Sequence, residues 1–244
     1  MTRSWLPFLS LLATVLLLPI ASLPAVVPPC QTCGGGGGGC GNVGGDGFNP
    51  NDGGAGADGC SPIIIDTVGQ GFHLTSAEGG VIFDISGTGH PVQIAWTDPR
   101  YRNAFLALPG PDGLVHNGKE LFGNFTPQAQ SPNPNGFLAL AEFDKPENGG
   151  NGDGAIDKRD VVFSRLRLWN DENHDGICQL SELHALPELG VSSISLNYRE
   201  SRRIDRYGNE FRYRGLISVT AQSQSGSPTD PVTYDVFLVS VIHN

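Results

Sequence analysis

Positive charge is scarce in this sequence of 244 residues. Lys and Arg together number 15 against 25 Asp and Glu, which gives a formal net charge of −10. Proteins that bind nucleic acid present a basic face that neutralises phosphates, so this balance argues against a nucleic-acid partner. An acidic chain is compatible with divalent cations, because hard cations prefer oxygen ligands such as carboxylates.

Familiar catalytic signatures are also missing. The sequence contains no HExxH, no GxSxG and no Cys/His pattern, and its six histidines are scattered along the chain. These are the signatures of the common metalloprotease, hydrolase and zinc sites. We therefore expect a protein that is not an enzyme.

Long apolar runs are confined to the amino terminus. Residues 6–20 are almost wholly apolar and follow Arg3, but the run is short for a membrane span and Pro19 interrupts its end. This pattern predicts a secretory signal over residues 1–25. We therefore expect a protein without a membrane span that is secreted, periplasmic or at the cell surface.

Cysteine is limited to five residues, four of them before residue 61: Cys30, Cys33, Cys40, Cys60 and Cys178. Export would place them in an oxidising compartment, which favours disulfides; the odd count leaves a free thiol or an intermolecular bond. Zinc or redox chemistry at Cys30-x-x-Cys33 is the alternative. Residues 26–60 contain six consecutive glycines and few apolar residues, so they are predicted to be a disordered linker.

The remaining sequence is expected to fold. Short apolar runs such as Ile63–Ile65 predict strands, Asn135 precedes a helical pattern over residues 137–143, and residues 180–186 fit a short helix. We predict an α+β fold, with short strands and short helices around EF-hand-type calcium loops. Residues 61–198 would form a calcium-binding module, and residues 199–244 would add carboxy-terminal strands that pack on it.

The most specific motif lies in an acidic region and reads DENHDGICQLSE, from Asp171 to Glu182. It fits the EF-hand pattern D-x-[DN]-x-[DN]-G-x5-E without a gap. In such a loop, side chains at positions 1, 3, 5, 9 and 12 and the carbonyl of position 7 converge on one calcium ion. The predicted ligands are Asp171, Asn173, Asp175, the Ile177 carbonyl, Gln179 and Glu182.

A second, distorted loop precedes it. Asn151, Asp153, Asp157 and Asp160 fit positions 3, 5, 9 and 12. Position 1 falls on a glycine, and Asp144 is interpreted as the original first ligand, displaced by about five inserted residues. A solvated acidic loop without an ion is the alternative. Three further segments, beginning at Asp66, Asp84 and Leu108, have the outline of such loops but lack the ligands, so we interpret them as turns.

Several runs in this order and spacing resemble a known module: SPIIIDTVGQG, VIFDISGTG, GLVHNGKELFGNFT, GFLALAEFD and FSRLRLWNDENHDG. Together they resemble the calcium-dependent self-processing module of iron-regulated, RTX-like exported bacterial proteins, over about residues 61–198. The resemblance implies that calcium folds the module, which then cuts an Asp-Pro bond directly before its first strand. The matching bond here is Ser61-Pro62, and serine lacks the carboxylate that would attack its own carbonyl.

Three hypotheses about function follow. The first is an exported calcium-binding protein whose ion is mainly structural. The second is a calcium-dependent module that cleaves itself at an Asp-Pro bond. The third is a surface adhesion module, because arginines cluster in the last quarter of the chain and could meet an anionic surface polysaccharide or a protein partner.

Overall fold

The computed structural model describes residues 59–220 and 231–241, so the predicted signal, most of the linker and three of its cysteines lie outside the described residues. The disulfides predicted for those cysteines therefore stay a prediction. Cys178 is free and buried.

Strands dominate the described residues. They are β1 (Ile63–Asp66), β2 (Val81–Phe83), β3 (Val92–Ile94), β4 (Asn103–Ala107), β5 (Ala155–Asp157), β6 (Arg167–Trp169), β7 (Leu183–Ala185), β8 (Val191–Ser195), β9 (Arg199–Ile204), β10 (Glu210–Val219) and β11 (Val232–Phe237). One helix, α1 (Gly136–Ala141), and four 3-10 helices complete the elements: Pro146–Asn148, Val161–Ser164, Leu180–Glu182 and Leu186–Leu189.

The α+β prediction is wrong, because the described residues form a mostly β fold with a curled antiparallel sheet. The helix predicted after Asn135 is present as α1, and the Asn135 carboxamide caps it by accepting a hydrogen bond from the Leu138 amide at 3.0 Å. The helix predicted over residues 180–186 is instead a 3-10 turn followed by β7 and a second 3-10 helix. Backbone pairing of β7 with β6 overrides the helical spacing of its leucines.

Nine strands form one sheet in the order β5-β8-β10-β11-β1-β4-β6-β7, with β9 paired to β10 off this path. All its pairs are antiparallel. The carboxy-terminal strands β10 and β11 thus lie inside the sheet, between β8 and β1. The β2–β3 hairpin forms a separate two-stranded sheet.

The centre of the sheet is buried on both faces. On β1, Ile64 belongs to one apolar cluster while Ile63 and Ile65 belong to the other, because successive side chains of a strand point to opposite faces. Residues of the β2–β3 hairpin, including Phe83, pack in the first cluster, and residues of α1, including Phe137, pack in the second. The two cores hold the ends of β6 and β7, where the first predicted calcium loop begins and ends.

Candidate metal centre

The first predicted loop connects two paired strands. Trp169 at the end of β6 is opposite Leu183 at the start of β7, and the Asn170 amide donates to the Glu182 carbonyl at 3.0 Å. An EF-hand-type sequence therefore closes a β-hairpin here, rather than joining two helices. Both ends of the loop are fixed by the sheet, so its first and last predicted ligands, Asp171 and Glu182, are held at the core.

Asp171 begins this loop and points inward. Its residue is 1% exposed, and its carboxylate accepts hydrogen bonds from the Gly176 amide at 2.9 Å, the Asp175 amide at 3.2 Å and the Trp96 indole at 2.8 Å. Gly176 has φ 70°, and a Cβ there would lie 2.8 Å from the Val81 side chain. Glycine is thus required both for the turn and for the close approach of β2.

Glu182 closes the loop from the opposite end. It is 4% exposed, and its carboxylate accepts hydrogen bonds from the Glu172 amide at 3.1 Å, the Gln179 amide at 3.2 Å and the Trp169 indole at 3.2 Å. The rings of Trp96 and Trp169 contact each other edge to face, with centroids 5.5 Å apart. Two touching tryptophans therefore hold the first and last acids of the loop.

The middle of the loop brings three more predicted ligand side chains together. The Asp175 carboxylate accepts from the Asn173 amide group at 2.8 Å and from the Gln179 amide group at 3.1 Å. It also accepts from the Ile177 backbone amide at 2.7 Å, and Ile177 is 65% exposed. Asn173, Asp175 and Gln179 thus lie within reach of one another at the mouth of the loop.

The loop carries negative charge without a basic partner. In the part of the chain that the structure describes, no ion pair involves Asp171, Asp175 or Glu182. Burying carboxylates costs free energy unless hydrogen bonds and an opposite charge compensate. The hydrogen bonds are present, and a bound cation would supply the charge.

The carboxylates alone would not complete a calcium site. Among residues 59–220 and 231–241, no group of three or more His, Cys, Asp or Glu side chains is placed to hold a metal ion. Calcium takes six to eight oxygen ligands and accepts amide and backbone carbonyl oxygens. The residues present fit such an ion only if Asn173, Gln179 and the Ile177 carbonyl contribute oxygens beside the acids.

The second predicted loop repeats this arrangement around Asp144. Its carboxylate accepts from the Gly152 amide at 3.0 Å and the Gly154 amide at 2.9 Å, as Asp171 accepts from Gly176. The inserted residues bulge outward as the 3-10 helix Pro146–Asn148. Asp144 thus has the hydrogen-bonding role that Asp171 has in the first loop, although five residues separate it from the regular register.

Asp160 closes the second loop but a basic residue competes there. The Asp160 carboxylate accepts from the Asn151 amide at 3.1 Å and the Asp157 amide at 2.8 Å. The Arg159 guanidinium pairs with both Asp153 and Asp157, and its hydrogen bond to Asp157 lowers the pKa of that carboxyl. Two of the predicted ligands are therefore already neutralised, which makes the first loop the better candidate for an ion.

Two of the other turns also begin with an Asp whose carboxylate accepts a hydrogen bond from the amide of a glycine five residues later. The Asp66 carboxylate accepts from the Gly71 amide at 2.6 Å, and the Asp84 carboxylate accepts from the Gly89 amide at 2.7 Å. The position of the closing acid, eleven residues further on, is held by buried Ala77 and Ala95. These turns keep the backbone geometry of the loops but lack the carboxylate that would complete a metal site.

Comparison with known proteins identifies the family. The family model of the SPM domain matches residues 63–230, more than half of the chain. The chain belongs to the SPM domain family. It is also 35% identical over 162 residues to the iron-regulated protein FrpA of Neisseria meningitidis serogroup C, a match that covers 65% of this chain and 14% of that relative. The chain thus corresponds to a small part of a much longer relative. In the described residues, no helix is long and apolar enough to cross a membrane.

The SPM domain begins directly after Ser61-Pro62, and Asn124 holds this junction. The Ser61 amide donates to the Asn124 side-chain oxygen at 2.9 Å, and the Asn124 amide donates to the Ser61 hydroxyl at 3.1 Å. The Asn124 side chain also donates to the Gly59 carbonyl at 2.8 Å. Sequence reasoning did not assign Asn124 a role, because it lies 63 residues from Ser61.

Asp235 is a second residue that sequence reasoning missed. It lies on β11, beyond the residues matched to the SPM domain, and is fully buried opposite Ile63. Burial raises the pKa of its carboxyl to about 6, although hydrogen bonds from the Gly136 amide and the Ser61 side chain and the charge of Arg212 act in the opposite direction. Within residues 59–220 and 231–241, its Oδ1 oxygen has no hydrogen-bond partner.

Asp235 should make the stability of the folded region depend on pH. A carboxyl whose pKa is higher in the folded state binds its proton more tightly there, so its contribution is complete below about pH 4 and is lost as the pH rises through about 6. A shift of about two units corresponds to about 3 kcal/mol.

We expect Asp235→Asn to gain stability relative to the natural protein on going from pH 4 to pH 7, as measured by urea unfolding in saturating calcium. The exposed Glu200→Gln is the control, and an equal difference at both pH values for Asp235→Asn would contradict the prediction.

Proposed function

We propose that this chain is an exported protein whose SPM domain binds calcium through the loop from Asp171 to Glu182, with the ion serving mainly as part of the fold. The observation that carries the proposal is the pair of buried carboxylates, Asp171 and Glu182, each held by a tryptophan indole and neither paired with a basic residue in the described part of the chain. The gapless loop sequence supports calcium over other ions. Support for export comes from the amino-terminal pattern of residues 1–25.

A structural ion should raise the melting temperature. Extracellular calcium modules commonly bind at about 10⁻⁴ to 10⁻³ M. At ten times the dissociation constant, one site that binds only the folded state adds about 1.4 kcal/mol, or about 3–5 °C for a domain of this size. Magnesium should do less, since it demands a smaller octahedral site.

Melting curves of the chain without its signal, in calcium, magnesium and chelator, measure this effect. A midpoint that rises only in calcium is the expected result. Equal midpoints in all three conditions would overturn the structural role of the ion.

Self-cleavage is the alternative hypothesis, and Ser61 argues against it, although Asn124 hydrogen-bonds to Ser61 at the matching bond. We further propose that the domain is of the calcium-dependent self-processing type found in RTX-like exported proteins, on the strength of the sequence resemblance. Ser61 stands where such a module has Asp. Its side chain is a hydroxyl, so there is no carboxylate to attack the carbonyl of the Ser61-Pro62 bond. We therefore infer that the calcium-binding architecture is kept and that the natural chain does not cut itself.

A further inference from the structure

The hairpin of β9 and β10 carries exposed arginines on an acidic protein. β9 pairs only with β10 within the described residues, so its other edge is open. Arg199, Arg202 and Arg203 on β9 are all exposed. Charged residues on an open edge discourage pairing with another strand. That role needs only charge, whereas these arginines also have defined contacts with their neighbours.

One of these arginines faces a further arginine across the hairpin. Arg199 is directly opposite Arg214, and neither takes part in an ion pair within the described residues. Like charges directly opposite each other destabilise a sheet. An anion placed between the two guanidinium groups would remove this repulsion.

Arg203 is held in a fixed orientation by aromatic rings. Its guanidinium lies 4.2 Å from the Phe211 ring centroid and 5.6 Å from the centroids of Phe72 and Tyr234. One of its N–H groups points to the Phe72 carbonyl at 3.5 Å. Stacking of this kind restricts the guanidinium before any ligand binds, so less entropy is lost when its remaining donors meet an anion.

Partly exposed aromatic rings continue this surface. His73, next to Phe72, stacks on Tyr101 with ring centroids 3.6 Å apart and planes 11° apart. Arg206 lies over Tyr207 at 4.6 Å and donates to its hydroxyl at 2.7 Å. The loops of Tyr101 and Tyr207 both contact residues 73–75, since the Asp98 amide donates to the His73 carbonyl and the Asn209 side chain donates to the Thr75 carbonyl, each at 3.0 Å.

Nearby acids leave this positive charge largely uncompensated. Asp98 pairs with Arg100, and Glu210 pairs with Arg212. Asp205 accepts hydrogen bonds from its own turn, from the Tyr207 and Asn209 amides, while Glu200 is opposite Tyr213. Six residues therefore form an arginine–tyrosine strip: Arg199, Arg203, Arg206, Arg214, Tyr101 and Tyr207.

We propose that the arginine–tyrosine strip binds an acidic polysaccharide. Guanidinium groups donate paired hydrogen bonds to carboxylate or sulfate groups, and the partly exposed rings of Tyr101 and Tyr207 add apolar surface beside them for sugar rings. Arg199 and Arg203 are separated by about 13 Å along β9, at about 3.3 Å per residue, which suits anionic groups spaced along a polymer. The overall charge of −10 disfavours the denser charge of duplex DNA.

The test is binding of the chain without its signal to chondroitin sulfate over a series of salt concentrations. The double variant Arg199→Gln/Arg214→Gln should bind at least about tenfold more weakly and show a smaller salt dependence. Tyr207→Ala should also weaken binding, although it removes no charge. Arg165→Gln/Arg167→Gln is the matched control, because it removes the same charge from a shallow pocket elsewhere on the surface.

Several outcomes would overturn the proposal. These are an equal loss in the control, no loss in the Arg199/Arg214 variant, or binding of the natural chain to duplex DNA or to anionic lipid vesicles as tight as to chondroitin sulfate. Melting curves check that each variant folds; removal of a like-charge pair should not lower the midpoint. Calcium-loop residues take no part in the strip, so the assay in calcium and in chelator separates this result from the calcium proposal.

Discussion

Glu182→Gln is expected to remove most of the calcium affinity of the first loop. The substitution takes away one negative charge and the bidentate ligand that closes the site. It also places an amide group where the Glu172 and Gln179 amides and the Trp169 indole need acceptors. We expect calcium affinity to fall by at least about tenfold, which is about 1.4 kcal/mol.

Tryptophan fluorescence provides the measurement, because the Trp96 and Trp169 indoles donate to the first and last acids of the loop. Glu172→Gln is a matched control, since it makes the same chemical change at a loop position that is exposed and not a predicted ligand. Unchanged affinity in Glu182→Gln, or an equal loss in both variants, would show that the loop assignment is wrong.

Ser61→Asp is expected to create calcium-dependent cleavage of the bond before Pro62. The new carboxylate can attack its own backbone carbonyl and close a five-membered cyclic anhydride. The bond to the Pro62 nitrogen breaks, that nitrogen takes up a proton, and water then opens the anhydride. The Asn124 amide, which donates to the Ser61 hydroxyl, is placed to hold the carboxylate.

Mass spectrometry after addition of calcium should show a fragment that begins at Pro62 in Ser61→Asp but not in the natural chain. Ser61→Asn, of nearly the same size, is the control without an attacking carboxylate. The double variant Ser61→Asp/Glu182→Gln should cleave only at higher calcium concentrations. If Ser61→Asp stays intact while its melting curve still responds to calcium, then position 61 is not the reason why the natural chain remains whole.

The candidate site could be read from the sequence because it is local. The ligands from Asp171 to Glu182 lie within twelve consecutive residues, and the positions of Asp and Gly in such a run determine where the side chains point. Asp144 could also be proposed from the sequence as the first residue of the second loop, because the insertion that displaces it is short. The strands on either side of the loop could not be predicted in the same way, since the pairing of Trp169 with Leu183 depends on the rest of the sheet.

Contacts between residues that are far apart in the sequence could not be predicted from it. Asn124 reaches Ser61 across 63 positions, and the Gly136 amide reaches Asp235 across 99. No periodic pattern marks either contact, and an Asp between Tyr234 and Val236 in an apolar strand gives no sign of what it faces. The wrong fold class has the same origin: short apolar segments fit a helical turn and a strand equally well until their partners are known.

The position of β11 has a consequence for the order of events during biosynthesis. β1, at the start of the domain, completes its hydrogen bonding only when β11 has inserted between it and β10. A growing chain therefore cannot finish this sheet until residues 232–237 have been made, and contacts so far apart in sequence form slowly. Until then β1 can pair only with β4, so one side of the first strand of the domain stays unpaired until the last described strand arrives.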